Sequence, residues 1–161
     1  MDVIVRGSLR RWKRWRIDDG MSTFFHHLDL TVTDPVKSRP LYELFLGHCG
    51  FTLKSAGEDW AGFGLGDKRY PCITLLQARG PDAEREHDRY TSGLHHLALR
   101  AKSPADVDAL HEKLVAFGAT ILDPPAEYAD YGKGYYAVFF ADPDGIKLEY
   151  VFTPPEAEVR V

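Results

Sequence analysis

The chain has 161 residues, a formal net charge of −4, 44% hydrophobic residues and 27% charged residues. This is the composition of one soluble globular domain, and it excludes collagen, coiled coil and wholesale disorder. No apolar run approaches the roughly 18 residues of a membrane span, and two cysteines, Cys49 and Cys72, without a C-x-x-C pair fit a reducing cytoplasm better than a disulfide-built secreted domain.

Charge is unevenly spread along the chain. Residues 1–20 carry six basic and three acidic residues, whereas residues 21–161 carry 14 basic and 21 acidic ones. The acidic body argues against nucleic acid as a partner. Residues 1–22 read as a basic tail, or as an artefact of start assignment with Met21 as the true start. The run Leu9–Arg16, with Trp12 and Trp15, has the make-up of an arm for phosphate or anionic lipid. No apolar stretch follows it, so it is not a secretory signal.

From residue 26 the chain repeats itself. Residues 26–53 align without a gap on residues 95–122, with eight identities: His26/His95, His27/His96, Leu28/Leu97, Leu30/Leu99, Pro35/Pro104, Leu41/Leu110, Glu43/Glu112 and Leu53/Leu122. Chance supplies about two at ordinary residue frequencies, so duplication is the economical account.

Each copy opens on a strand. Leu28, Leu30 and Val32 alternate with Asp29, Thr31 and Thr33 in the first, and Leu97, Leu99 and Ala101 with Ala98, Arg100 and Lys102 in the second. Asp34-Pro35 and Ser103-Pro104 then supply an N-cap and a first-turn proline. The first helix carries Leu41, Leu44, Phe45 and Leu46 and ends near Gly47 or Gly50, with Pro40 expected in its first turn. The second carries Val107, Leu110, Leu114, Val115 and Phe117 and ends at Gly118. Three strands follow each helix: 50–54, 60–65 and 72–77, then 119–122, 135–141 and 147–152. Asp142-Pro143-Asp144-Gly145 predicts a tight turn between the last two. Residues 79–93 are a polar linker, and residues 154–161 a short tail. The expected fold is α+β, two βαβββ modules (about 24–78 and 94–152) within a domain at 23–153.

Three motifs carry a family resemblance: His27-Leu-Asp-Leu-Thr-Val-Thr-Asp34, His96-Leu-Ala-Leu-Arg-Ala101 and Asp142-Pro-Asp-Gly-Ile-Lys-Leu-Glu149. With the duplicated order of elements they resemble the vicinal oxygen chelate superfamily, the glyoxalase, bleomycin resistance protein and dioxygenase group, over about residues 24–152. The resemblance implies curved mixed sheets forming a shared cleft, closed within one chain or across a homodimer. It also implies a divalent metal ion (zinc, nickel, manganese or iron) held by His27, His96 and Glu149. Two imidazoles and a carboxylate can hold such an ion and leave room for substrate. Side chains alternate along a strand, so His26 and His95 are expected on the outer face, as capping residues, or supporting the ligands from behind.

In lyases of this type the fourth strand of module one carries Glu or Gln; the matching residue here is Thr74. The ring-cleaving dioxygenases of the group want a tyrosine where this chain has Phe139, and a histidine where it has residues 130–132. Thr74, Tyr131 and Tyr136 are the candidate substrate contacts; Tyr135 and Tyr136 face opposite ways, so at most one of them lines the cleft. The expected function is a glyoxalase-like metal-dependent lyase or isomerase acting on a small molecule, its general acid and base unidentified. The alternative is a non-catalytic binding protein of the antibiotic-resistance type; a further alternative, a ring-cleaving dioxygenase, is disfavoured by the missing histidine and tyrosine.

Overall fold

The computed structural model describes residues 26–155; the expectations for residues 1–22 and 156–161 lie outside the described residues. Module one runs β1 (His27–Val32), α1 (Pro35–His48), β2 (Phe51–Ala56), β3 (Trp60–Leu65) and β4 (Cys72–Gln77). Module two runs β5 (Leu97–Arg100), α2 (Pro104–Phe117), β6 (Thr120–Glu127), a 3-10 turn at Ala129–Tyr131, β7 (Tyr136–Ala141) and β8 (Lys147–Phe152). Two four-stranded sheets result, ordered β1-β4-β3-β2 and β5-β8-β7-β6. The first strand of each module pairs in parallel with its fourth and the other neighbours are antiparallel, so the duplication read in the sequence is a duplication of topology.

Local chemistry explains the helices. Asp34 caps α1 by accepting the backbone N–H groups of Val36 and Lys37, and Ser103 caps α2 by accepting that of Asp106. Gly118 ends α2 in the left-handed conformation, at φ 83°. Pro40 differs from expectation. The helix already starts at Pro35, so Pro40 lies inside it and cannot donate to the carbonyl one turn back. β6 is also longer than expected. It continues through Pro124 and Pro125 as an edge strand, and register shifts between Ile121 and Ala126 absorb the missing donors.

The helices lie between the sheets. α1 packs on β2, β3 and β4 and also on α2, which packs on β6, β7 and β8. Phe45 of α1 reaches into module two, with ring centroids 5.0 Å from Phe140 and 6.1 Å from Tyr150. One apolar core therefore serves both modules, from Leu30, Leu41, Phe63 and Ile73 to Leu110, Leu114, Val138 and Leu148. Each large side chain buried there contributes about 1.5–3 kcal/mol.

A polar staple fixes how the modules meet. In the turn at residues 142–145, Asp142 Oδ1 accepts the N–H groups of Asp144 and Ile146 at 3.0 and 2.8 Å. Its Oδ2 accepts the hydroxyl of Tyr42, from α1, at 2.9 Å. Asp144 crosses to module one as well, accepting the Thr33 N–H at 3.1 Å and the hydroxyls of Thr33 and Ser38. Gly145, at φ 81°, closes the turn.

Burial pushes the Asp142 carboxyl up to about 6, against an ordinary 3.8, despite the hydrogen bonds from Ile146 and Tyr42. Folding therefore favours its protonated form between those values. This contribution is fully present below about pH 4 and is lost as pH rises through 6. Asp142→Asn keeps the oxygen that accepts the turn amides and cannot ionise. The stability of the wild type relative to D142N is expected to fall by about 2 kcal/mol between pH 4 and pH 7 in urea unfolding. A difference that does not change with pH would overturn that assignment.

Candidate functional site

Alternation decides which side chains face outward on module one. Leu30 and Val32 are buried in the shared core, with Leu28 packed against it, whereas His27, Asp29 and Thr31 point to the open face. Register then brings β4 beside them, with His27 opposite Cys72 and Asp29 opposite Thr74. On β3, Gly64 stands opposite Cys72, Gly62 opposite Thr74 and Trp60 opposite Leu76. A Cβ at Gly64 would lie 2.3 Å from the Lys68 carbonyl oxygen, so the loop after β3 folds down onto the sheet there. Between loop and sheet is a cavity of about 690 Å³ whose lining includes His26, His27, Asp29, Trp60, Cys72 and Thr74. That is within the range of small-molecule sites.

Module two presents the matching face. Leu97 and Leu99 turn inward, while Ala98 and Arg100 turn outward. Glu149 lies opposite Ala98 on one side and Phe139 on the other. It is thus in the middle of the sheet, and it is 1% exposed. Both its oxygens have partners: the His96 Nε2 lies 3.0 Å from Oε2, and the Tyr135 hydroxyl donates to Oε1. A buried carboxylate requires such partners. Burial first, and then the hydrogen bond to Glu149, raise the Tyr135 hydroxyl far above the ordinary tyrosine value, so it stays a protonated donor. Aromatic rings gather around this carboxylate. Tyr128 meets Phe139 edge-on at 5.2 Å, Tyr131 lies 5.2 Å from Tyr135, and the Lys147 Nζ stands 3.8 Å from the Phe139 centroid.

The duplicated histidines make duplicated contacts. His26 Nδ1 is 2.8 Å from His27 Nδ1, and His95 Nδ1 is 2.7 Å from His96 Nδ1. Each preceding histidine thus engages the Nδ1 of the expected ligand, so that the Nε2 is the nitrogen turned elsewhere; in His96 it meets Glu149. His26 in turn stacks on Tyr70 at 4.1 Å.

The expected site residues divide between the two faces. His27 and Thr74 are on module one, His96 and Glu149 on module two, and the shared core separates the two sheets. Tyr131 stands beside Tyr135 and is 69% exposed. Tyr136 is a correction: its hydroxyl donates to Asp108 of α2 at 2.9 Å, so it faces the helix, and Tyr135 is the tyrosine that reaches Glu149. Among the described residues, no three His, Cys, Asp or Glu side chains converge as a metal-holding group. Two donors of the expected three meet, and their chemistry suits a divalent ion; the third does not join them within one chain. Asp29 and Trp60 were not singled out from the sequence. Asp29 was legible, because alternation sets it on the face of His27; Trp60 needed the register of β3 on β4.

Comparison with known proteins follows the same topology. The family described as Glyoxalase/Bleomycin resistance protein/Dioxygenase superfamily matches residues 24–150. The uncharacterized protein YqjT of Bacillus subtilis (strain 168) is 38% identical over 129 residues, 78% of this chain and 96% of its own length. A glyoxylase/bleomycin resistance protein/dioxygenase domain from Frankia sp. EAN1pec superposes with a TM-score of 0.62 at 27% identity, covering 80% of this chain and 90% of that one. A lactoylglutathione lyase from Agrobacterium tumefaciens shares the fold, with a TM-score of 0.56 at 16% identity over 81% of this chain and 94% of that one.

The Tyr135–Glu149 bond has a measurable consequence. Tyr135→Phe leaves one oxygen of a buried carboxylate without its donor, and a loss of about 1–3 kcal/mol is expected in urea unfolding at pH 7. In an E149Q background the same substitution is expected to cost less, because no charge is stranded. Equal costs in the two backgrounds would show that the hydroxyl does not act on the carboxylate.

Proposed function

The chain belongs to the glyoxalase/bleomycin resistance protein/dioxygenase superfamily, and on that premise we propose that it is a metal-dependent enzyme of the lyase or isomerase type acting on a small molecule. The observation that carries the proposal is the pair at the centre of module two. A carboxylate buried in the middle of a sheet has an imidazole Nε2 at 3.0 Å, on a face with the open side of the sheet before it. Such a pair is costly to bury as a purely structural device.

His27, His96 and Glu149 are the proposed ligands of the ion, which is zinc, nickel, manganese or iron. The packing of one chain supports a site built from two copies. With both helices between the sheets, the open faces look away from the shared core. In a homodimer, His27 of one copy would meet His96 and Glu149 of the other. When bound, the ion supplies Lewis-acid stabilisation of developing negative charge on a substrate oxygen. The chain supplies the rest. Tyr135 holds one oxygen of Glu149 and so orients the carboxylate. Asp29, two residues from His27 on the same face and opposite Thr74, is the candidate general base for moving a substrate proton. Both cysteines are free thiols, which suits the cytoplasm.

A second reading, a non-catalytic binding protein, draws its support from Thr74. It stands where lyases of this type carry a carboxylate or carboxamide, and it cannot act as a strong base.

Elemental mass spectrometry of purified protein tests the metal. Near-stoichiometric metal is expected in the wild type, and little in H27A or H96A. Subunit mixing tests the assembly. If H27A and H96A are unfolded together and refolded, half the random dimers contain one intact site, so metal content is expected to recover to about a quarter of the wild-type value. Loss in both variants without recovery on mixing would overturn the two-copy site. No metal in the wild type after reconstitution with all four ions would overturn the enzyme reading and leave the binding protein. Metal binding with Asp29→Asn abolishing turnover, at unchanged metal content, is the outcome expected of the general base.

A further inference from the structure

Trp60 occupies the open face of module one in a way that two glycines make possible. A Cβ on Gly57 would lie 2.8 Å from the indole Nε1 and 3.1 Å from Cδ1, and a Cβ on Gly62 would lie 3.4 Å from Cζ3. The pyrrole end of the indole therefore rests on Gly57 and the benzene end on Gly62. Neither glycine has a positive φ, so space, not backbone conformation, is what the missing side chains provide. The indole lies along the sheet and borders both the cavity of about 690 Å³ and a second of about 530 Å³ that continues past Leu76 and Arg79. Laid down in this way, it offers a flat aromatic floor.

The rim adds a cation. Arg69 lines the larger cavity, its guanidinium 5.4 Å from the Tyr70 centroid. Among the described residues it forms no ion pair, whereas Arg79, beside the second cavity, is already bound to Asp59 at 3.0 Å. Tyr70 is itself backed by the stacked ring of His26. A guanidinium supported on an aromatic face is well suited to a carboxylate, which it can take with two parallel hydrogen bonds.

We propose that this face selects a planar aromatic carboxylate, its ring stacked on Trp60 and its carboxylate bound by Arg69. The substrate class is then a flat ring-bearing acid, not a flexible peptide thiol adduct, which has no ring to stack on the indole floor; Lys54, the other cation of the lining, is already engaged by the Gly66 carbonyl. The proposal rests on the reading of this face as half of a ligand cleft, and it does not need the metal.

The test uses full-length, isotope-labelled protein with 2-naphthoate as probe, and 2-naphthamide and cyclohexanecarboxylate as controls. The readout is the indole N–H resonance of Trp60, identified by its loss in W60F. A saturable shift is expected with 2-naphthoate, and clearly weaker binding with cyclohexanecarboxylate. Arg69→Gln is expected to weaken 2-naphthoate about tenfold and leave 2-naphthamide unchanged, while Trp60→Leu weakens both by roughly three- to tenfold. R69Q alters only the rim, so it remains informative if W60L does not fold. The absence of a Trp60 shift at millimolar 2-naphthoate, or equal affinity for the saturated acid, would overturn the proposal. H96A separates it from the metal reading. Retained 2-naphthoate binding with the metal lost is expected, whereas metal binding without 2-naphthoate binding would sink the aromatic acid alone.

Discussion

Two aspartates in one tight turn decide how the rest of this molecule is arranged. Asp142 ties down the turn's own amides and takes the hydroxyl of Tyr42, and Asp144 takes the N–H and hydroxyl of Thr33, just after β1. The turn belongs to module two, and its partners on the other side belong to module one. Buried polar groups of this kind stabilise only when every member is satisfied, and they are costly in any arrangement that strands them. They therefore specify one docking of the modules among the several that a merely apolar helix pair would tolerate. With that docking, α1 carries Phe45 into the rings of Phe140 and Tyr150, and a single core forms across both modules.

Placing the helices between the sheets has a functional price: each sheet has its other face left open. On module one that face is lined by His27, Asp29, Thr74 and Trp60, beneath a loop held close by the absence of a side chain at Gly64. On module two it is centred on Glu149, covered by Tyr135 and flanked by His96. The two faces are unequal despite their common origin. Module one keeps a roomy cavity with an aromatic floor, and module two keeps a buried carboxylate. Such a difference between the two faces is what a duplicated unit can accumulate once its two halves need not be identical.

The histidine pairs show the duplication acting at the level of atoms. In both modules the two adjacent histidines at the start of the first strand are joined Nδ1 to Nδ1, and an aromatic ring lies against the first of them, Tyr70 for His26 and Tyr90 for His95. A ring nitrogen engaged in this way settles which nitrogen of the next imidazole remains for other work. Nδ1 of His96 is occupied, and Nε2 is directed at Glu149.

Much of this was legible in the sequence. Alternation at residues 28–33, the caps Asp34 and Ser103, the identities between residues 26–53 and 95–122, and the turn at 142–145 are local signals, and local chemistry is enough to read them. They determine two βαβββ modules, and they put His27 and Asp29 on one face. Pro40 differs because the Asp34 cap already starts the helix at Pro35, which leaves no first turn for Pro40 to occupy, and β6 runs longer because the end of an edge strand depends on its pairing with β7. Tyr136, expected in the cleft, instead bonds Asp108, since alternation says that Tyr135 and Tyr136 oppose each other but not which faces α2. The partners of Glu149, the glycine bed of Trp60 and the separation of His27 from His96 belong to tertiary structure alone. Each depends on register between strands or on docking between modules, and those are set by contacts between residues far apart in the chain, of which Tyr42 with Asp142 and Thr33 with Asp144 are the decisive ones.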